Sequence, residues 1–287
     1  MSDPCLFSIP EVLTDSVSLV EGDALETLRS IPDGDYDLVV TSPPYNLGGE
    51  PWPMLGDWKR PRESREGPWL SGVGGNGRWK TGSNAAHGVP YGEHSDTMPW
   101  PEYVEWQRSI LRELWRIIPD DGAICYNHKP RVVGAKLWLP LELIPEGVIL
   151  RQNIIWARPG GMNFTTTAFV PTHEWIMLLA KPGFRLKSQA ASGLGDVWRI
   201  NPEPSKHPAP FPLELARRCI EPTTAKRILD PFGGSGTVGI AAAMEGRTAT
   251  LIELDPKWCA MIRARTATYE CRQPGSLFDD STIHDGF

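Results

Sequence analysis

The run Arg227-Ile228-Leu229-Asp230-Pro231-Phe232-Gly233-Gly234-Ser235-Gly236-Thr237-Val238-Gly239 decides the fold class. An apolar strand ends at its tip, four glycines punctuate the turn, and a helix opens beneath it over Gly236–Met244. Glycine lets the backbone curl and approach a ligand closely, and the amino end of the helix offers N–H groups without intrahelical partners. Gly234, Gly236 and Gly239 meet the dinucleotide spacing in its required strand-to-helix setting. Glu253 ends the next strand, Thr248–Glu253, where a carboxylate can hold the two hydroxyls of a ribose.

Outward from this turn, apolar and β-branched runs predict strands at Val17–Glu21, Tyr36–Thr41, Ala123–Tyr126, Leu150–Ala157 and His173–Ala180. Helices are expected at Ala24–Ile31, Pro101–Ile118, Val133–Leu143, Phe211–Cys219 and Pro256–Thr268. Seven strands with helices in most crossovers give an α/β, doubly wound, Rossmann-like sheet in a single domain spanning 1–287, fraying from Pro274. Residues 47–99 stand apart, with eleven glycines, four tryptophans (Trp52, Trp58, Trp69, Trp79) and no periodicity. A structureless connection of this length is unusual inside a compact domain, and four tryptophans are costly to leave in water. It is expected to be a long flexible loop that folds over a ligand. Arg60, Arg62, Arg65, Arg78 and Lys80 would supply phosphate contacts, and the tryptophans would wedge or stack against bases.

The glycine turn leaves two ligands open, a nicotinamide dinucleotide and an adenosine-type cofactor without a pyrophosphate, such as S-adenosylmethionine. Asp230 favours the second, because a carboxylate at the strand tip repels phosphate and suits an ammonium group. Phe232 could pack beside the adenine or ribose, and Asp23, at the end of another strand, could accept from the adenine amino group.

The other stretch that asks for chemistry is Thr41-Ser42-Pro43-Pro44-Tyr45-Asn46, at the exit of a buried strand. Two prolines remove two backbone donors and fix two φ angles, so the Pro43 carbonyl has no ladder to join and is expected to face a cavity. The Ser42 hydroxyl and that carbonyl would bind the two hydrogens of an exocyclic amino group and draw its nitrogen toward tetrahedral geometry, with Tyr45 stacked on the ring. Alignment of nitrogen, methyl carbon and sulfur then supplies much of the rate.

Here the chain resembles the amino-group-specific DNA methyltransferases. Ser42-Pro43-Pro44-Tyr45 matches their catalytic motif, and Asp230 to Thr237, through Phe232, Gly233, Gly234, Ser235 and Gly236, matches their cofactor loop. Lys206 to Pro212, containing His207, resembles the segment that covers the methionine part. Asn153-Ile154-Ile155-Trp156 with Gly160-Gly161-Met162, and Thr172-His173-Glu174, resemble further family segments. The resemblance implies the S-adenosylmethionine-dependent methyltransferase fold, a seven-stranded sheet with strand 7 antiparallel. It also implies the circularly permuted order in which the catalytic motif precedes the cofactor motif. The implied substrate is duplex DNA whose target base swings out into the pocket. Serine at 42 resembles the cytosine-N4 enzymes and aspartate there the adenine-N6 enzymes, so cytosine is expected and adenine is the alternative. Sequence reading in such enzymes often lies between the strand ending at Ala180 and Lys206. Here that interval is short, with Arg185 and Lys187 as its basic pair, and the recognition region is expected within 158–206 or in the 47–99 loop.

The totals set bounds. Net charge is −6, yet residues 129–231 carry fourteen Lys/Arg against eight Asp/Glu, a distribution that suits a polyanion on one face. Five scattered cysteines read as reduced cytosolic thiols, and neither they nor His128 form a metal-ligating spacing. The start MSDPCLFSIPEVL has neither a basic beginning nor a long apolar run, so a cytoplasmic protein of a prokaryote or phage is expected, with no membrane partner. Ring-carbon methylation needs a cysteine nucleophile, and the one Pro-Cys pair, Pro4-Cys5, lies outside any strand end. A nicotinamide oxidoreductase would leave the double proline unexplained. A non-catalytic DNA-binding protein is the other alternative. A cognate restriction endonuclease is a candidate partner, and monomer and homodimer both stay open.

Overall fold

The computed structural model describes residues 10–46, 98–133, 136–160, 169–203 and 211–270. The loop 47–97 with its five cationic candidates, His207 and the tail from Pro274 lie outside the described residues.

In chain order the elements are β1 (Glu11–Val12), β2 (Val17–Glu21), α1 (Ala24–Ser30), β3 (Leu38–Thr41), α2 (Trp100–Ile117) and β4 (Ala123–His128). A hairpin follows, β5 (Arg131–Val133) and β6 (Lys136–Trp138), then a 3₁₀ turn at Pro140–Leu143, β7 (Leu150–Ala157) and β8 (His173–Ala180). The chain closes with α3 (Gln189–Ser192), β9 (Val197–Arg199), α4 (Leu213–Ile220), β10 (Arg227–Asp230), α5 (Thr237–Met244), β11 (Thr248–Glu253) and α6 (Pro256–Glu270).

The main sheet has nine strands in the order β1-β2-β11-β10-β3-β4-β8-β7-β9. The seven expected strands are its middle, and β1 and β9 are short edge strands that two or three residues of sequence do not announce. Strands β2, β11, β10, β3 and β4 run parallel, while β8 is antiparallel to both β4 and β7. One residue of each central strand faces each layer in turn. Leu38 and Val40 join Leu215, Ala241 and Ile262 from α4, α5 and α6, whereas Val39 joins Leu28, Ile110 and Leu114 from α1 and α2. That two-sided burial is why β3 reads as an unbroken apolar run.

From β10 the chain crosses through α5 to β11 on one side, and from β3 it crosses through α2 to β4 on the other. The strand order therefore reverses between β10 and β3, where Ile228 pairs with Leu38 and Leu229 with Val39. Open α/β sheets bind ligands at the carboxyl ends of strands flanking such a reversal. The glycine turn and the double proline leave from those two ends.

One expected element is wrong. The helix read over Val133–Leu143 is a hairpin followed by the 3₁₀ turn. Pro140 cannot donate within a helix and its ring clashes with the preceding turn, so a helix running through 140 is broken there.

Candidate active site

A cleft partly open to solvent lies at this reversal. Its walls include Asp23, Ser42, Pro44, Phe232, Gly234 and Glu253. Residues from both motifs thus line one cavity. Asp23 caps α1, with Oδ1 accepting from the Glu26 N–H at 2.9 Å. Glu253 at the end of β11 accepts from the Gly234 N–H at 2.7 Å through Oε2 and from the Asp255 N–H at 2.9 Å through Oε1. Burial raises its carboxyl above the ordinary range, against the pull of those two donors.

The glycine turn is built for close approach. Gly236 caps α5 at φ 80°, in the left-handed region, and a Cβ on Gly233 would lie 3.2 Å from both Leu251 and Ile262 side-chain atoms. Ser235 and Thr237 are buried and bond each other at 3.1 Å, and Arg265 of α6 donates to the Ser235 carbonyl and the Thr237 hydroxyl. These two polar side chains brace the turn. They are not among the cleft walls.

Asp230 is placed differently from Asp23 and Glu253. It is buried, and its Oδ1 accepts from Thr41 Oγ1 at 2.8 Å and from the Phe232 N–H at 3.1 Å. The first bond ties β10 to β3 across the reversal. No donor among the described residues reaches Oδ2. Burial, with Glu253 adding repulsion, pushes the carboxyl up to about 8 despite the two donors. Phe232 lines the cleft and meets Trp106 of α2 with ring centroids 5.8 Å apart. Trp106 and Trp258 complete an aromatic wall that was not read from the sequence. Trp106 lies in the apolar stripe of α2, and its periodicity reads as core.

The double proline is held from behind. Pro44 carbonyl accepts from Tyr103 Oη at 2.9 Å and from Gln107 Nε2 at 3.2 Å. Burial pushes His128 down to about 3, so its ring is neutral. Its Nδ1 accepts from the Lys129 N–H at 2.9 Å, which places the proton on Nε2, 2.8 Å from Tyr103 Oη. Asn46, at φ 53°, closes the turn by exchanging two 2.8 Å bonds with Met98. By contrast, no donor among the described residues reaches the Pro43 carbonyl. The structure therefore separates the two carbonyls, saturating one and sparing the other.

Tyr45, expected to stack on the base ring, is not among the residues that line the cleft. Its ring is 6% exposed, packs on His128 at 4.4 Å and has the Lys129 ammonium 5.3 Å from its centroid. Its hydroxyl lies 3.1 Å from Ser42 Oγ and donates toward Asn127 Oδ1 at 2.8 Å and Glu174 Oε2 at 3.1 Å. The ring and its hydroxyl lie among His128, Asn127 and Glu174, residues of β4 and β8 beside Ser42.

Arg185 and Lys187 need a larger correction. Because β8 is antiparallel, Ala180 pairs with Ala123 at the amino end of β4, about 23 Å along eight strand residues from His173. Arg185 there donates to the Pro182 and Phe184 carbonyls, and Lys187 pairs with Glu221. Both sit at the opposite end of the sheet from Ser42. Among the described residues, the cations that the topology brings to the cleft end include Lys129 and Arg131 after β4, Arg158 after β7 and Arg199 at the end of β9.

An adenosyl cofactor fits this cleft better than a dinucleotide does, since its walls carry two carboxylates and aromatic rings and no cationic side chain. A methyl donor in such a cleft, beside the Ser-Pro-Pro-Tyr exit, defines the class of amino-group methyltransferases. The N6/N4 DNA methylase family model matches residues 36–264, and the chain belongs to that family. It is an S-adenosylmethionine-dependent DNA methyltransferase acting on an exocyclic amino group of a base. Among its relatives is the Type II methyltransferase M.Cfr9I of Citrobacter freundii, 28% identical with 84% of each chain covered. M.SmaI of Serratia marcescens is 27% identical, covering 87% of this chain and 90% of that protein. TTHA0409 of Thermus thermophilus, solved in complex with S-adenosyl-L-methionine, superposes with a TM-score of 0.58 at 25% identity, over 88% of this chain and 93% of that one. The PvuII DNA methyltransferase shares the fold at a TM-score of 0.64 and 18% identity, over 92% of this chain and 94% of that one. No helix among the described residues is long and apolar enough to cross a membrane.

Proposed function

We propose that this enzyme methylates N4 of cytosine in duplex DNA, with the beta-type motif order of its class, and acts beside a cognate restriction endonuclease as a Type II methyltransferase. The observation that carries the choice of base is serine at 42, on the wall of the cofactor cleft, with its hydroxyl directed back to Asn127 Oδ1 at 3.1 Å. Asn127 is oriented by its own donation to the Trp175 carbonyl at 3.0 Å, so its oxygen faces Ser42. Ser42 then spends its proton on Asn127 and keeps lone pairs for an incoming N–H. The Pro43 carbonyl takes the second N–H. Pro44 and Tyr45 hold these two acceptors in place from the protein side.

When bound, S-adenosylmethionine supplies a sulfonium methyl: the N–C bond forms as the C–S bond breaks, leaving its electron pair on sulfur. On the protein side, Glu253 takes the ribose, Asp23 and Phe232 the adenine, and Gly233, Gly234 and Gly236 let the backbone approach. Asp230 Oδ2 takes the ammonium group, with Ser235 and Thr237 bracing the turn. His207 is assigned to the methionine end by its place in the matched segment. Hydrolysing DNA methylated with tritiated cofactor to nucleosides tests the base directly. Label in N4-methyldeoxycytidine is expected, and label in N6-methyldeoxyadenosine would replace cytosine by the alternative.

Charge along the carboxyl edge of the sheet supports the DNA placement. The β2–β11 half carries Glu21, Asp23, Glu253 and Asp255 against Arg263 and Lys257, and the β4–β9 half carries Lys129, Arg131, Arg158 and Arg199 against Glu174. DNA phosphates are assigned to the second half, together with Arg60, Arg62, Arg65, Arg78 and Lys80 of the 47–99 loop. Arg199 is exposed. Its replacement by alanine is expected to lower the slope of log K against log salt by about 1, as one lost phosphate contact does. Arg185→Ala should leave the slope unchanged. A slope that fell with Arg185 and not Arg199 would put DNA at the opposite end of the sheet.

A further inference from the structure

The two acceptors of the proposed grip explain how the amino nitrogen is aimed, and they leave open where its surplus proton goes. Once the nitrogen bears a methyl group it holds one proton too many, inside a cleft that the base itself closes.

Behind Ser42 the structure holds a chain of oxygen atoms that leads away from the cleft. Ser42 Oγ is 3.1 Å from Tyr45 Oη, and Tyr45 Oη is 3.1 Å from Glu174 Oε2. Asn127 Oδ1 lies beside both hydroxyls, at 3.1 and 2.8 Å. Glu174 comes from the amino end of β8, which the antiparallel strand brings to this end of the sheet. Its other oxygen pairs with Arg158 Nη1 at 3.1 Å. The carboxylate side chain is 8% exposed and Arg158 is 23% exposed, so the chain runs from a half-buried serine on the cleft wall through a buried carboxylate to the edge of solvent. A carboxylate in an otherwise apolar strand, Trp175 to Ala180, is costly to bury without purpose or partner.

We propose that Tyr45 and Glu174 are the outlet for that proton, an inference that rests on the reading of Ser42 as an acceptor of the target amino group. The N–H bond that faces Ser42 breaks in the same step as the N–C bond forms, and Ser42 Oγ gains the proton. The Ser42 hydroxyl turns from Asn127 Oδ1 to Tyr45 Oη, which lies at the same 3.1 Å, and passes it its own proton, and Tyr45 passes its own to Glu174 Oε2. The products are a neutral secondary amine, both hydroxyls restored and a protonated Glu174, which returns its proton to water beside Arg158 before the next turnover. Arg158, paired with the other carboxylate oxygen, fixes which oxygen of Glu174 faces Tyr45. Tyr45 and Glu174 act through Ser42 and are positioning residues.

Single-turnover methylation of duplex DNA with tritiated cofactor, run in H₂O and D₂O, tests this on four proteins: Tyr45→Phe, Glu174→Gln, their combination and Ser42→Ala. Tyr45→Phe leaves the Arg158–Glu174 pair intact, so it stays informative if Glu174→Gln folds poorly. Each of the two single variants is expected to slow transfer by about 10²-fold, as loss of a proton-transfer group does, with cofactor affinity within about twofold of the parent. The combined variant should be no slower than the slower single one, because either break opens the same chain. The parent should show a solvent isotope effect that both single variants lose. Multiplying losses, or an isotope effect kept in Tyr45→Phe, would overturn the outlet. If Ser42→Ala is slow while Tyr45→Phe and Glu174→Gln transfer at the parent rate, the outlet alone fails. If Ser42→Ala itself transfers at the parent rate, the underlying role of Ser42 fails.

Discussion

Ser42→Ala is expected to lower the single-turnover rate of methyl transfer by about 10²-fold or more while leaving S-adenosylmethionine affinity within about twofold. The magnitude follows from removing one preorganised hydrogen-bonding group aimed at charge that develops in the transition state, which costs about 10²–10³ in enzymes where it has been isolated. The exocyclic nitrogen is a poor nucleophile because its lone pair is shared with the ring, and two acceptors on its hydrogens pull it out of that conjugation. Alanine removes one acceptor and leaves the Pro43 carbonyl, so the nitrogen keeps half of its guidance. Binding is spared because the carboxylate that ends β11 and the aromatic wall are contributed by other strands and helices. Isothermal titration with cofactor and a quenched-flow transfer assay separate the two quantities. An equal fall in affinity and rate would move Ser42 from the target side of the cleft to the cofactor side. A substitution by cysteine, a weaker acceptor on the same side-chain path, should fall between serine and alanine.

What the sequence made readable follows the range of the interactions involved. Strands buried on both faces announce themselves by continuous apolar runs, and the glycine turn by a backbone need that no other residue meets, so β3, β10, β11 and α5 could be placed within a residue or two. Both motifs were legible as strand exits, and their meeting in one cleft followed from the α/β pattern once β10 and β3 were neighbours. The failures are of another kind. Arg185 and Lys187 were near the right motifs along the chain and at the wrong end of the sheet, because the direction of β8 is set by its partners β4 and β7 and not by its own residues. Trp106 and Glu174 belong to elements whose periodicity says only core, and it takes the three-dimensional neighbours, Phe232 for one and Tyr45 for the other, to show what they face. Asp230 was placed correctly at the strand tip, but its bond to Thr41 spans 189 residues and leaves no local trace.

That bond makes Asp230 the site of a second large effect. Asp230→Asn is expected to raise thermal stability at alkaline pH and to weaken cofactor binding. In the folded protein the carboxyl is pushed up to about 8 by burial, while in the unfolded chain it titrates at its ordinary value of 3.8. Between those two values the native state holds a proton that the unfolded state has released. The stabilisation linked to that proton is fully present below the unfolded value. It falls as pH rises through the window and is gone above about 8. Asparagine stays neutral throughout and still offers Oδ1 to Thr41 and to the Phe232 N–H. The variant and the parent should therefore melt together only below about pH 3.8 and separate progressively as pH rises above it, with the variant higher by about 5–10 °C or more at pH 8.5. That gap corresponds to a few kcal/mol at about 2–4 °C per kcal/mol in a domain of this size. Cofactor binding runs the other way. An ammonium group against Oδ2 draws the carboxyl into its ionised form, so binding to the parent should release a proton near pH 7 and tighten as pH rises toward 8. In Asp230→Asn the cation meets a neutral oxygen, and affinity should fall about tenfold at pH 8 and lose its pH dependence. Melting curves and calorimetric titrations in buffers of different ionisation enthalpy measure both. If the variant and parent melted apart by the same amount at every pH, the carboxyl would already be ionised in the folded protein. If cofactor binding released no proton, the ammonium group would lie elsewhere.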